Sequence, residues 1–172
     1  MPIRIDTLRS AATRYRATLA KSLTEARTQG LQTVFLCHSH RDEALVKGLI
    51  ALLEESGWRV YVDWADASMP EAPNRETAAR IKRKIVDFAY FLFLATSNSV
   101  SSRWCPWEIG YADGTKPIER ILVLPTTDDG IKTYGNEYLQ LYRRIDLSSL
   151  GKLAVWQPGQ TTNGVLVENL QG

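Results

Sequence analysis

Short apolar runs alternate with longer amphipathic stretches along most of this chain. "TVFLC" (33–37) is a compact, β-rich apolar run. The stretch after it, "SHRDEALVKGLIALLEESG" (39–57), sets Leu45, Leu49, Leu52 and Leu53 on one helical face, and Gly57 closes it as a C-cap. "WRVYVDW" (58–64) predicts a second strand, and "ADASMPEAPNR" (65–75), with two prolines and no apolar period, a loop. "ETAARIKRKIVDFA" (76–89) predicts a helix with Ala78, Ile81, Ile85 and Phe88 inward. "YFLFLAT" (90–96) is apolar throughout, the mark of a strand at the centre of a sheet covered on both faces. A short helix follows over 105–116, with Pro106 near its start where a missing N–H costs nothing. Strands are then predicted at "RILVLPT" (120–126) and "LYRRIDLS" (141–148).

Strand–helix alternation with crossovers of this length predicts a parallel sheet of five strands with helices on both faces, an α/β fold. Ligands of such sheets bind outside the carboxyl ends of the strands. The segments there are 37–42, 63–75 and 96–108, and the polar peculiarities of the chain fall in all three. Ahead of this pattern, residues 4–29 predict one charged helix, with Leu8, Ala11, Ala12, Tyr15, Leu19 and Leu23 at helical spacing and Gly30 as its stop. The tail "WQPGQTTNGVLVENLQG" carries weak turn signals, and no structure is assigned to it. The chain thus divides into an N-terminal helical extension (1–30), a main domain (31–150) and a tail (151–172).

Composition narrows the chemistry. A net charge of +2 over 172 residues is too small to indicate nucleic acid, and "RIKRK" (80–84) reads as the solvated face of its helix. Two cysteines, Cys37 and Cys105, make neither a disulfide scaffold nor a tetrahedral metal site. No run reaches the ~18 apolar residues of a membrane span, and the start "MPIRIDTLRS" lacks a signal core. A cytoplasmic protein with free thiols is expected.

Neither G-x-G-x-x-G nor a P-loop follows the first strand, which argues against dinucleotide dehydrogenases and P-loop NTPases. "HSH" (38–40) lacks a third metal partner and reads better as a polar turn, with Ser39 or Asp42 capping the next helix. Asp63, at the end of the second strand, either binds ligand hydroxyls or caps its loop. The nucleophile elbow of serine hydrolases is missing, and Cys105 has no assignable base. In "SSRWCPWEIG" (101–110), Glu108 lies between aromatic surface and small residues. It is either an N3 residue favoured by the helix dipole, with Cys105 as an imperfect cap, or a carboxylate sharing a helix face with Trp104 at i,i+4.

Two stretches, "VFLCHSHRDEALVKGLIALLEESGWRVYVDW" and "IKRKIVDFAYFLFLATSNSVSSRWCPWEIGYA", resemble a Toll/interleukin-1 receptor (TIR) domain, from about Thr33 to about Leu147. The resemblance implies a flavodoxin-like fold with a five-stranded parallel sheet. Enzymatic members cleave the nicotinamide–ribose bond of NAD+, which is then a substrate and not a cofactor. By resemblance, Glu108 is the catalytic glutamate of the W-x-x-x-E arrangement and Trp104 its aromatic. His38 and Ser39 would line the nicotinamide side and Asp63 the loop side. A carboxylate near the ribose can stabilise an oxocarbenium-like centre, as in glycosidases. Attack by a second nucleophile of the same ADP-ribose gives a cyclic isomer, and attack by water a linear product. Single-domain bacterial members of this kind resemble signal-generating subunits of antiphage defence (Thoeris-like), in which a separate effector senses the product. The loop at 65–75 lacks the glycine common in the family, and His38, Pro106 and Trp107 depart from its usual residues.

Two rival classes stand beside this reading. Many TIR domains are non-enzymatic adaptors that associate with other TIR domains, but these often lack the glutamate that Glu108 matches. A nucleoside deoxyribosyltransferase-like enzyme also sets a glutamate at a glycosidic carbon, and an assay on nucleosides distinguishes it. Neither nucleic acid nor membrane is expected as a partner.

Overall fold

The fold is described from a computed structural model, over residues 1–16, 23–65, 74–128, 132–135 and 137–170. Five parallel strands form its centre: β2 (Gln32–Cys37), β3 (Trp58–Tyr61), β4 (Tyr90–Ala95), β5 (Ile121–Asp128) and β7 (Arg143–Leu147). Their order, β3-β2-β4-β5-β7, reverses direction at β2, so a switch point lies between β2 and its neighbour β4. The expected five-stranded parallel sheet is present. Around it the sheet grows to nine strands through β1 (Ile3–Arg4), β6 (Lys132–Thr133), β8 (Leu153–Trp156) and β9 (Val165–Leu166).

The pleat explains the two cores. Val34, Leu36, Tyr90, Leu92, Leu94, Leu122 and Leu124 point to one face, where α3 (Glu43–Glu55) packs Leu45, Val46, Leu49, Ile50 and Leu53. The alternate residues Phe35, Cys37, Phe91, Phe93, Ala95, Ile121 and Val123 point to the other. There they meet Ile81 and Ile85 of α4 (Arg75–Asp87) and Ile109 and Ala112 of α6 (Cys105–Thr115). Strands buried on both faces carry unbroken apolar runs, as Val34–Cys37 of β2, all of β4 and Ile121–Pro125 of β5 do.

Three expectations are corrected. The single helix over 4–29 is absent: β1 runs parallel to the end of β5 (Ile3 beside Thr126), and α1 (Ile5–Ala11) breaks into a 3₁₀ turn at Ala12–Arg14. Tyr15 then turns extended (ψ 127°), and α2 (Leu23–Thr28) is a separate helix ended by Gly30 at φ +68°; Leu19 lies outside the described residues. The tail is built into the fold. β8 pairs antiparallel with β7, β9 with β8, and Val167 is fully buried while its carbonyl accepts the Trp58 indole N–H at 3.0 Å. The helix expected from 76 begins at Arg75, because the Asn74 side chain accepts the Thr77 N–H at 2.9 Å in a reciprocal cap. Residues 66–73 of the expected loop lie outside those described.

Candidate active site

Three strand ends meet at the switch point. Cys37 closes β2, with His38 next; Asp63 stands two residues past β3; and Thr96 follows β4, capping the four-residue helix α5 (Ser97–Val100). α6 then crosses this edge and lowers Glu108 towards Cys37. The loops at 37–42, 63–65 and 96–108 therefore do share one place.

Glu108 is buried, with 7% of its surface exposed. It occupies the fourth position of α6, not the third, and its N–H is bonded by the Trp104 carbonyl at 2.9 Å. Trp104 is the residue ahead of the helix and already has helical φ/ψ (−93°, −44°), so the i,i+4 relation holds. Cysteine does not cap this helix. Ser102 Oγ accepts from the N–H groups of Trp104 (3.1 Å) and Cys105 (3.4 Å). The reading of Glu108 as an ordinary solvated N3 residue is thereby set aside.

Burial pushes the Glu108 carboxyl up from 4.5 to about 7; the Cys37 thiol, hydrogen-bonded to it, acts the other way, and the negative field of Asp63 raises it further. Glu108 therefore exchanges its proton near neutrality. Cys37 is buried, and lack of solvation above all raises its thiol well above the usual range. It is a donor here, not a nucleophile. Cys105 is buried as well, and its carbonyl lies 3.8 Å from the Cys37 sulfur.

The His38 side chain is 4% exposed, and burial lowers its pKa despite the nearby Asp63. Its Nδ1 lies 2.9 Å from the Leu36 carbonyl, which can only accept, so the neutral ring carries its proton on Nδ1. Nε2 is left as an acceptor, 3.6 Å from Asp63 Oδ1. Two acceptors facing each other make a receptor for a donor placed between them. On its other oxygen Asp63 meets the exposed His40 at 3.3 Å, and its Oδ1 also takes the Trp64 N–H at 2.9 Å. The Trp64 ring stands edge-on to His38, centroids 6.1 Å apart.

Ser39 caps its 3₁₀ turn through an Arg41 N–H to Oγ contact at 3.4 Å. Trp104 packs on the apolar cluster around Cys37 and Ile109 and sets its ring perpendicular to that of Trp107, 5.4 Å away. Glu108, Cys37, His38 and Asp63 thus form one constellation, with Trp104 at the head of its helix and Ser39 in the adjoining turn. Among the described residues, no group of three or more His, Cys, Asp or Glu is arranged to hold a metal.

Residue-by-residue reading passed over the ties beneath this site. Asp42, buried, makes no cap to α3; it accepts from Thr96 Oγ1 at 2.5 Å and from Asn98 Nδ2 at 2.6 Å, joining the β2 loop to the β4 loop. Ser99 Oγ donates to the Leu94 carbonyl at 2.6 Å. The only sequence signal for these ties is a density of short polar residues at two strand ends.

Comparison with known proteins agrees with this architecture. A model of the TIR domain matches residues 34–154. Over 115 residues the chain is 35% identical to a Bacillus cereus (strain MSX-D12) protein named "Probable 3' cyclic ADP-D-ribose synthase ThsB'", covering 63% of this chain and 58% of that one. Over 82 residues it is 28% identical to "Putative cyclic ADP-D-ribose synthase TIR2" of Cytobacillus dafuensis, covering 46% of this chain and 22% of the relative. The matched region thus spans a little over half of the first relative and about a fifth of the second. With the family model covering most of its length and the switch-point sheet in place, the chain belongs to the TIR domain family.

Proposed function

We propose that this protein cleaves the nicotinamide–ribose bond of NAD+ and closes the ADP-ribose into a cyclic isomer that acts as a second messenger in antiphage defence. The observation that carries the reading is a buried glutamate, poised near neutrality, at the switch point of the sheet. The names of the two relatives, both cyclic ADP-D-ribose synthases, support it.

Nicotinamide in NAD+ is cationic and leaves without an acid, so the chain has to stabilise positive charge growing on the ribose. A Glu108 carboxylate does this by field or by covalent capture, and the low dielectric around it strengthens either. The arriving cation itself favours loss of the Glu108 proton, which ties substrate binding to ionisation. The Cys37 thiol steadies the carboxylate, while His38 Nε2 and Asp63 Oδ1 accept from a ribose hydroxyl or the carboxamide N–H. The Trp104 aromatic surface helps to exclude water, and with water excluded a nucleophile of the same ADP-ribose attacks instead. On this reading NAD+ is the substrate, no cofactor takes part, self-association with other TIR domains precedes activity, and a separate effector protein senses the product in the cytoplasm. No helix among the described residues is long and apolar enough to cross a membrane.

The test is incubation of concentrated protein with NAD+, following nicotinamide and nucleotide products by chromatography beside Glu108→Ala. Nicotinamide release that vanishes in the variant, with a product of cyclic ADP-ribose mass, is the expected result. Release that survives Glu108→Ala removes the site assignment, and release as linear ADP-ribose alone removes the cyclase. An inactive wild type that binds other TIR domains points to an adaptor.

A further inference from the structure

At the opposite edge of the sheet, where the parallel strands begin, two arginines converge on one buried tyrosine. Arg120 ends the 3₁₀ turn Ile118–Arg120 just ahead of β5, and Arg143 opens β7, whose register sets it beside Leu122. Residues 120 and 122 share a pleat, so both arginines leave the sheet on the same face. Tyr90, the first residue of β4 and 1% exposed, lies under them. The Arg120 guanidinium carbon stands 4.7 Å from the Tyr90 ring centroid, and Arg143 hydrogen-bonds the Tyr90 phenol. Trp58 packs on the same tyrosine, ring centroids 4.7 Å apart.

Each guanidinium keeps one nitrogen unsatisfied. Arg120 Nη1 and Arg143 Nε are buried with no hydrogen-bond partner, and among the described residues neither arginine has a carboxylate at ion-pair distance. Arg143 lies in the field of Arg120: burial above all lowers its pKa, Tyr90 and Glu119 act against this, and the charge of Arg120 lowers it further. Lys116, whose Nζ donates to the Phe88 carbonyl at 2.5 Å, adds a third positive charge near Arg120. Like charges held together with idle donors are unfavourable unless an anion neutralises them. Two planar guanidinium forks suit an oxyanion that accepts several N–H bonds at once. The sheet fixes both arginines in advance, so such an anion is met by a preformed pair.

We propose that Arg120 and Arg143 form a binding site for a phosphate group, either free or carried on a nucleotide, on the edge of the sheet remote from Glu108. The proposal does not depend on the activity assigned above. It is tested on the whole chain by following the arginine Nε–Hε resonances in ¹⁵N-edited NMR, with inorganic phosphate and separately AMP titrated at constant ionic strength set with chloride. The expected result is a saturable shift of the Arg120 and Arg143 signals, with affinity at least tenfold weaker in Arg120→Gln and Arg143→Gln. AMP binding more tightly than phosphate would identify a nucleotide phosphate as the ligand; equal affinity would identify free phosphate. Should a glutamine variant not fold, Arg143→Lys keeps the charge, loses the fork and is expected to weaken binding alone. A shift that does not saturate, that chloride reproduces as an adventitious ion only, or that persists undiminished in the variants overturns the proposal.

Discussion

Glu108 shows how one residue can be costly to the fold and useful to the site. Its carboxyl is raised above its ordinary value, so the folded state holds a proton that the unfolded chain has released between pH 4.5 and about 7. Stability therefore falls as pH rises through that window, by on the order of 3 kcal/mol in all, and the full penalty stands above it. Glu108→Gln, which removes the charge and keeps the shape, is expected to melt several degrees above the wild type at pH 8 and level with it at pH 4.5. Calorimetry at the two pH values checks this. On the proposed function the same proton governs activity with the opposite sign, because only the carboxylate stabilises a cationic ribose. Nicotinamide release should climb as pH rises from 6 to 8, with an inflection near 7, and a Cys37→Ala variant, having lost its thiol donor, should shift that inflection upward. A rate profile flat across this range would exclude Glu108 ionisation from catalysis. Asp42 gives a third residue-scale expectation. Asp42→Ala strands the Thr96 hydroxyl and the Asn98 amide, both bonded to its carboxylate, which should cost roughly 3 kcal/mol by urea unfolding and lower nicotinamide release with it.

Between elements, the decisive contact is one that needs the absence of a side chain. Gly48 in the middle of α3 lets the backbone of α1 approach so closely that a Cβ there would lie 1.9 Å from the Leu8 carbonyl oxygen. Leu8 and Ile3 are fully buried as a result, and β1 can reach the end of β5. Gly48→Ala is therefore expected to push α1 away and to cost about 3 kcal/mol, visible as a lower urea midpoint and faster proteolysis within the first 16 residues. The elements themselves were legible wherever burial was two-sided. β4 is apolar at every position, β2 and β5 carry unbroken apolar runs over Val34–Cys37 and Ile121–Pro125, α3 and α4 keep a helical stripe, and the predicted spans hold to within a few residues. The N-terminal segment misled because Leu8, Ala11 and Ala12 mimic a helix longer than the seven residues of α1 that pack on α3; the spacing of apolar residues is blind to where a partner helix ends.

For the molecule as a whole, the last strands matter more than their sequence suggests. Leu153 and Val155 of β8 and Val167 beyond β9 complete the apolar core on the α1–α3 face. β8 also pairs the outer edge of β7, which would otherwise expose a row of backbone groups. A chain ending at Leu150 is expected to lose cooperative unfolding and to aggregate, as scanning calorimetry and size-exclusion chromatography would show; a soluble, cooperatively melting fragment would refute this. The tail was illegible because its burial is supplied by β7 and Trp58, residues distant in sequence, and four-residue strands carry too little period to announce themselves. What the amino-acid order determined unaided is the parallel α/β centre, since two-sided burial writes itself as continuous apolar runs, and the gathering of polar loops at one edge, since chain direction in such a sheet sends every βα turn there. Only the tertiary structure decided that Glu108 faces Cys37 in place of solvent, that His38 Nε2 and Asp63 oppose one another as acceptors, and that Asp42 ties two loops instead of capping a helix. Each of those depends on groups brought together across strands, and desolvation, which sets their protonation and their partners, exists only once the chain has closed around them.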